Sequence, residues 1–135
     1  MLRTYNGFDH DARMRAYRWA KEARLAGQHP VPRTRCDACG GWGGVRGHSE
    51  DYSEPYGRHI GFFSLCTCCH QMVHGRFSNP GRWDRYRAEI RHRRIWPFPA
   101  GGVLDLIHSG NLPAGARQLL WEVIRIPELE QLPLL

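Results

Sequence analysis

The chain has 135 residues, with 19 Lys and Arg against 13 Asp and Glu, a formal charge of +6 when histidine is neutral. That length suits one compact domain with appendages and disfavours two full domains. No run approaches the about eighteen apolar residues of a membrane span, and the arginine-bearing first residues lack the apolar core of a secretory signal. A membrane protein is therefore not expected, and the cytoplasm is the expected compartment.

Residues 9–26 read as a helix, because Ala12, Ala16, Trp19 and Ala23 recur at helical spacing and Gly27 follows as a stop. Residues 28–35 carry two prolines and read as a linker, which closes a basic N-terminal segment over 1–35. A glycine-rich turn around Trp42 comes next, then a short strand over 45–48 and a second over 60–65. A helix starts near Cys66 or Thr67 and runs to about Gly75, so the central unit spans 36–77. Asn79 and Pro80 form a cap and first-turn pair for the following helix. Its apolar stripe is Trp83, Tyr86 and Ile90, residues more at home in a core than stacked on bases. The segment WPFPAGG at 96–102 breaks that helix, and two shorter helices are expected near 103–108 and 114–125. Residues 78–126 thus form an arginine-rich helical region, and 127–135 an extended tail.

Charge is unevenly spread along this order. Residues 1–35 carry eight Lys and Arg against three acids, and residues 76–94 carry seven against two. The cysteine-bearing centre between them, residues 36–75, has two against four. Basic stripes of this kind attract phosphate backbones, so DNA is the expected partner. Arg82, Arg85, Arg87, Arg91 and Arg94 on the third helix are the candidate contacts, because guanidinium pairs bidentately with phosphate.

Five cysteines without a secretory context argue for metal rather than disulfides. Cys36-x2-Cys39 and Cys66-x2-Cys69 are two pairs on opposite sides of the central segment. Each pair on a tight turn presents two thiolates to one side, and two such pairs complete a tetrahedron around a structural zinc ion. Cys68 lies between two ligands and should point away. Directly after the second pair comes His70-x3-His74, a spacing that puts both imidazoles on one helix face. His48 leaves the first strand. One reading makes these three a hydrolytic centre, with His48 as general base and His70 and His74 holding a divalent cation, Mg2+ or Mn2+. The other has them merely pack around the zinc knuckle.

At these residues, GHSEDYSEPYG and LCTCCHQMVHGRF, the sequence resembles the HNH, or ββα-metal, nuclease superfamily, and within it the small phage and bacterial proteins with a His-His-Glu-Asp-Tyr-Ser motif. The resemblance covers about residues 36–77 and implies an α+β fold, a small HNH-like ββα zinc finger with flanking helices. It also implies a DNA endonuclease or nickase of replication, repair or mobile elements; Arg76, just past His74, stands where it could steady the scissile phosphate. Two positions depart from the pattern. Ser49 replaces the second histidine of the motif, and Gly61 replaces the asparagine expected on the second strand. If Ser49 marks a lost base, restoring histidine there should raise activity. The competing expectation is a catalytically degenerate finger that only grips DNA or a protein partner, a phage-type inhibitor included.

The chain ends Gln131-Leu132-Pro133-Leu134-Leu135, which resembles the peptide that binds the bacterial sliding clamp. That likeness implies a clamp contact through Gln131, Leu132, Leu134 and Leu135. A leucine- and proline-rich tail packed back on its own domain is the alternative.

Overall fold

The computed structural model describes residues 1–93 together with Leu104 and Ile107. Among the described residues the architecture is α+β: helix α1 (His10–Leu25), strands β1 (Arg46–His48) and β2 (Phe63–Leu65), then helices α2 (Thr67–Gly75) and α3 (Pro80–Arg93). No helix among them is long and apolar enough to cross a membrane.

Each helix begins where its capping chemistry says it should. The Asp9 side chain accepts the Ala12 amide at 2.9 Å, satisfying one of the unpaired donors of the first turn of α1. At the other end Gly27, at φ +70°, lets its own amide and that of Gln28 turn back onto the carbonyls of Arg24 and Ala23. The Cys66 sulfur accepts the Cys69 amide at 3.4 Å and so caps α2. Asn79 accepts the Arg82 amide at 3.1 Å ahead of Pro80, opening α3.

The strands pair antiparallel, with Arg46 opposite Leu65, Gly47 opposite Ser64 and His48 opposite Phe63. The second strand is half the expected length. Gly61, at φ +67°, breaks the extended run that the apolar residues from Ile60 onward suggested. The close approach here suits glycine on both sides, since a Cβ on Gly47 would meet the Gly61 carbonyl oxygen at 3.1 Å.

Two apolar clusters result among the described residues. One joins the zinc-type cysteines to Phe63 and Leu65 of β2, Val73 of α2, and Trp83 and Ile90 of α3, with Leu104 and Ile107 in the same core. Trp83 is 1% exposed, so it is a core residue and not a base-stacking one. The other gathers Tyr5, Ala16, Ala20, Tyr52 and Ile60 beside α1. The buried face of α1 is rotated from the expected alanine stripe and includes Arg13. That arginine is tolerated inside because its guanidinium lies 5.6 Å from the Tyr5 ring and 5.2 Å from the Tyr52 ring, and donates to the Arg3 carbonyl at 2.6 Å.

The expected helices near 103–108 and 114–125, Arg94, and the tail over 127–135 with Gln131, Leu132, Leu134 and Leu135 lie outside the described residues, apart from Leu104 and Ile107.

Candidate metal centre

The residues from Cys36 to Gly41 form a tight knuckle. Gly40 donates its amide to the Cys36 carbonyl at 2.9 Å, the Cys39 amide points at the Cys36 sulfur at 3.5 Å, and the Gly41 amide points at the Cys39 sulfur at 3.3 Å. Amides aimed at sulfur stabilise thiolate over thiol. The second cysteine pair sits at the cap and first turn of α2, and all four sulfurs fall within 4.8 Å of one another.

That geometry can be tested against zinc. With Zn–S bonds of about 2.3 Å, the edge of a regular tetrahedron is about 3.8 Å. Cys39 and Cys66, one from each pair, stand 3.7 Å apart. The charge distribution makes the same point. The hydrogen bond with Cys69 lowers Cys36 to about 5, while burial pushes Cys39 up to about 11. Four thiols at this spacing, three of them buried, cannot all ionise unless a cation offsets their repulsion, and a divalent ion does so. Cys36, Cys39, Cys66 and Cys69 therefore form a cluster compatible with a zinc site. Cys68 is exposed and outside the cluster, as the sequence suggests.

A second cluster lies between the two apolar cores. His48 from the end of β1 and His70 and His74 from one face of α2 bring a ring nitrogen each within 4.8 Å of the others. The Nε2 atoms of His70 and His74 are 2.9 Å apart. Two nitrogens bound at right angles to one ion with bonds of about 2.1 Å would stand about 3.0 Å apart. Burial, the largest cause, lowers His70 to about 4 and His74 to about 3. Both imidazoles are therefore neutral at pH 7, the state in which a lone pair is available to a cation. The three residues fit a divalent ion.

Behind the histidines is a buried polar network. His48 Nε2 lies 2.5 Å from a Glu50 carboxylate oxygen, and the Tyr5 hydroxyl donates to the same oxygen. Arg76 donates to the other Glu50 oxygen at 2.5 Å, to the Tyr5 hydroxyl at 2.6 Å and to the Val73 carbonyl at 2.8 Å. Burial works to raise the Glu50 carboxyl, but the His48 contact and the Arg76 charge outweigh it and hold the group below its ordinary range. The Tyr5 ring also walls the site, with its centroid 4.4 Å from that of His74.

This network corrects the reading of Arg76. The residue is 0% exposed, and its guanidinium is committed to Glu50 and Tyr5, so it is not an open phosphate clamp. Of the other candidate arginines, Arg82, Arg85 and Arg91 are exposed on α3. Arg87 is half-buried, its guanidinium 5.9 Å from the Trp83 ring.

Ser49 also has a different meaning in three dimensions. It is 1% exposed, and its hydroxyl accepts the Gly61 amide at 2.6 Å, so the two departures from the HNH pattern are bonded to each other. A histidine at 49 would overfill this spot and strip the Gly61 amide of its acceptor. Ser49→His is expected to destabilise the protein by about 1–3 kcal/mol, read as a lower urea midpoint. His59, near the missing asparagine, is buried with Nε2 2.9 Å from the Ser53 carbonyl and is not in the histidine cluster.

Tyr5 and Glu50 are the site residues that sequence reasoning passes over. The signal for Glu50 is its offset: it follows His48 by two positions, as Arg76 follows His74 by two, which places opposite charges beside two histidines of the cluster.

No family model matches the sequence, and no curated protein or solved structure is significantly similar to it.

Proposed function

We propose that this chain is an HNH-type metal-dependent nuclease acting on DNA, with Cys36, Cys39, Cys66 and Cys69 holding a structural zinc and His48, His70 and His74 holding the working cation. The observation that carries the proposal is the convergence of these three histidines on one point of a ββα unit whose helix is capped by the cysteine cluster. A bare zinc knuckle has no need of three clustered imidazoles, two of them held neutral.

In this reading a divalent cation supplies Lewis-acid chemistry to a phosphodiester. His70 and His74 present lone pairs from one helix face, and His48 supplies a third from the strand. With one of its nitrogens engaged by Glu50, His48 presents the other to the cation. Of Mg2+ and Mn2+, the imidazole donor set favours Mn2+, since Mg2+ prefers oxygen ligands and retains its waters. Arg82, Arg85 and Arg91 supply the phosphate-facing surface.

A second reading, a degenerate finger that binds DNA or a protein partner without cutting, is favoured by one observation. The motif position expected to carry the base is Ser49, buried and bonded to Gly61.

A cleavage assay on supercoiled and branched DNA with Mn2+ and Mg2+ separates the two. Parent protein is expected to cleave, more readily with Mn2+. His74→Ala should lose at least about a hundredfold of that rate, the scale of removing a positioned catalytic group, while still binding DNA. Replacing Arg82, Arg85 and Arg91 together should weaken binding and flatten its salt dependence. DNA binding without cleavage by the parent on any substrate would favour the binding module.

A further inference from the structure

Glu50 is a carboxylate almost sealed from solvent, at 1% exposure, and a carboxylate so placed is costly unless fully partnered. It has three partners: the imidazole of His48, the hydroxyl of Tyr5 and the guanidinium of Arg76. An ionised carboxylate only accepts hydrogen bonds, so the His48 nitrogen facing it carries the proton. The lone pair of that imidazole is then confined to Nδ1. A histidine that ligates a metal characteristically donates its other N–H to a carboxylate, which fixes the tautomer and makes the ring a stronger donor. The other two members of the network set the charge and place of that carboxylate. Arg76 balances it, and Tyr5 reaches it from the N-terminal segment while its ring packs on His74.

We infer that Glu50 is a positioning residue for the histidine centre, held by Tyr5 and Arg76, and that it sets the affinity of that centre for a transition-metal ion by fixing the tautomer and orientation of His48. The inference rests on the proposed metal role of His48, His70 and His74, but not on any nuclease activity. Tyr5 and Arg76 lie outside the strands and α2, so the network makes the competence of the centre depend on the segment before α1 and on the residue that closes α2.

The test is calorimetric titration of Co2+ into full-length protein whose cysteine cluster is loaded with zinc. Glu50→Gln preserves the shape and removes the charge. It is expected to weaken Co2+ binding by about 10–100-fold, the usual cost of losing such an outer partner, with zinc content unchanged. The decisive comparison is the same substitution in a His48→Ala background. If Glu50 acts through His48, the residual Co2+ affinity there should be indifferent to it. Equal Co2+ affinity for parent and Glu50→Gln would overturn the inference, as would an undiminished effect of Glu50→Gln when His48 is absent. If Glu50→Gln fails to fold, Tyr5→Phe carries the test. It removes one hydrogen bond to the carboxylate and should weaken Co2+ roughly threefold to tenfold in the parent but not in His48→Ala. Parent protein that takes up no cobalt beyond the cysteine cluster would overturn the proposed histidine metal site, and this inference with it. Cobalt binding that depends on Glu50 in a protein that cleaves nothing would leave the inference standing and defeat only the nuclease reading.

Discussion

Cys36→Ser is expected to yield a chain that does not fold, and stripping metal from the parent with a strong chelator should unfold it in the same way. The expected size follows from two scales. Structural zinc contributes about 10–16 kcal/mol to the folding of small zinc modules, whereas a whole domain is stable by about 5–15 kcal/mol. The cysteines are not peripheral to the core that would have to survive alone. Cys36, Cys66 and Cys69 are buried with Phe63, Leu65 and Trp83 in one cluster, and the two strands are three residues each. So short a sheet has little stability of its own. Elemental analysis of protein purified without added metal should give about one zinc per chain that resists weak chelators, as for a closed four-cysteine site. Circular dichroism of Cys36→Ser should show loss of most helix signal. A well-folded zinc-free preparation would refute the zinc assignment.

Arg76→Met should destabilise the protein by about 3–5 kcal/mol, the cost of leaving one buried charge without its partner. Glu50 would remain in place with 1% exposure and no guanidinium to balance it. A surface arginine that touched only phosphate would behave in the opposite way, costing DNA affinity and almost no stability. Urea unfolding distinguishes these outcomes directly. Replacing both partners, Glu50→Gln with Arg76→Met, should recover a large part of the loss, because the penalty lies in the orphaned charge more than in the missing pair. A single Arg76→Met variant with the parent's unfolding midpoint would show that the ion pair contributes nothing.

The local signals in this sequence were readable because each acts over a few residues. Asp9 and Asn79 mark helix starts through their own side chains, the paired cysteines fix the cluster by spacing, and His70 and His74 share a face by helical geometry alone. What stayed hidden depends on distant partners. Arg76 and Arg13 look solvent-exposed by composition, and partners contributed by other parts of the chain, Glu50, Tyr5 and Tyr52 among them, offset the cost of their burial. Ser49 resembles a lost catalytic group when compared with a motif, and becomes a backbone acceptor once Gly61 is seen opposite it. The second strand was overestimated because apolar residues describe burial, and Ile60 and Phe62 are buried without being in a strand.

Cys66 does two things with one sulfur: it belongs to the cysteine cluster, and it caps α2 by accepting the Cys69 amide. A nine-residue helix is too short to persist by itself in water. The four-residue spacing that aligns His70 with His74 therefore depends on the cap and the core packing that Cys66, Cys69 and Val73 give this helix. Loss of the Cys66 sulfur is therefore expected to disturb the histidine cluster along with the cysteine cluster, because both are built on the same short helix.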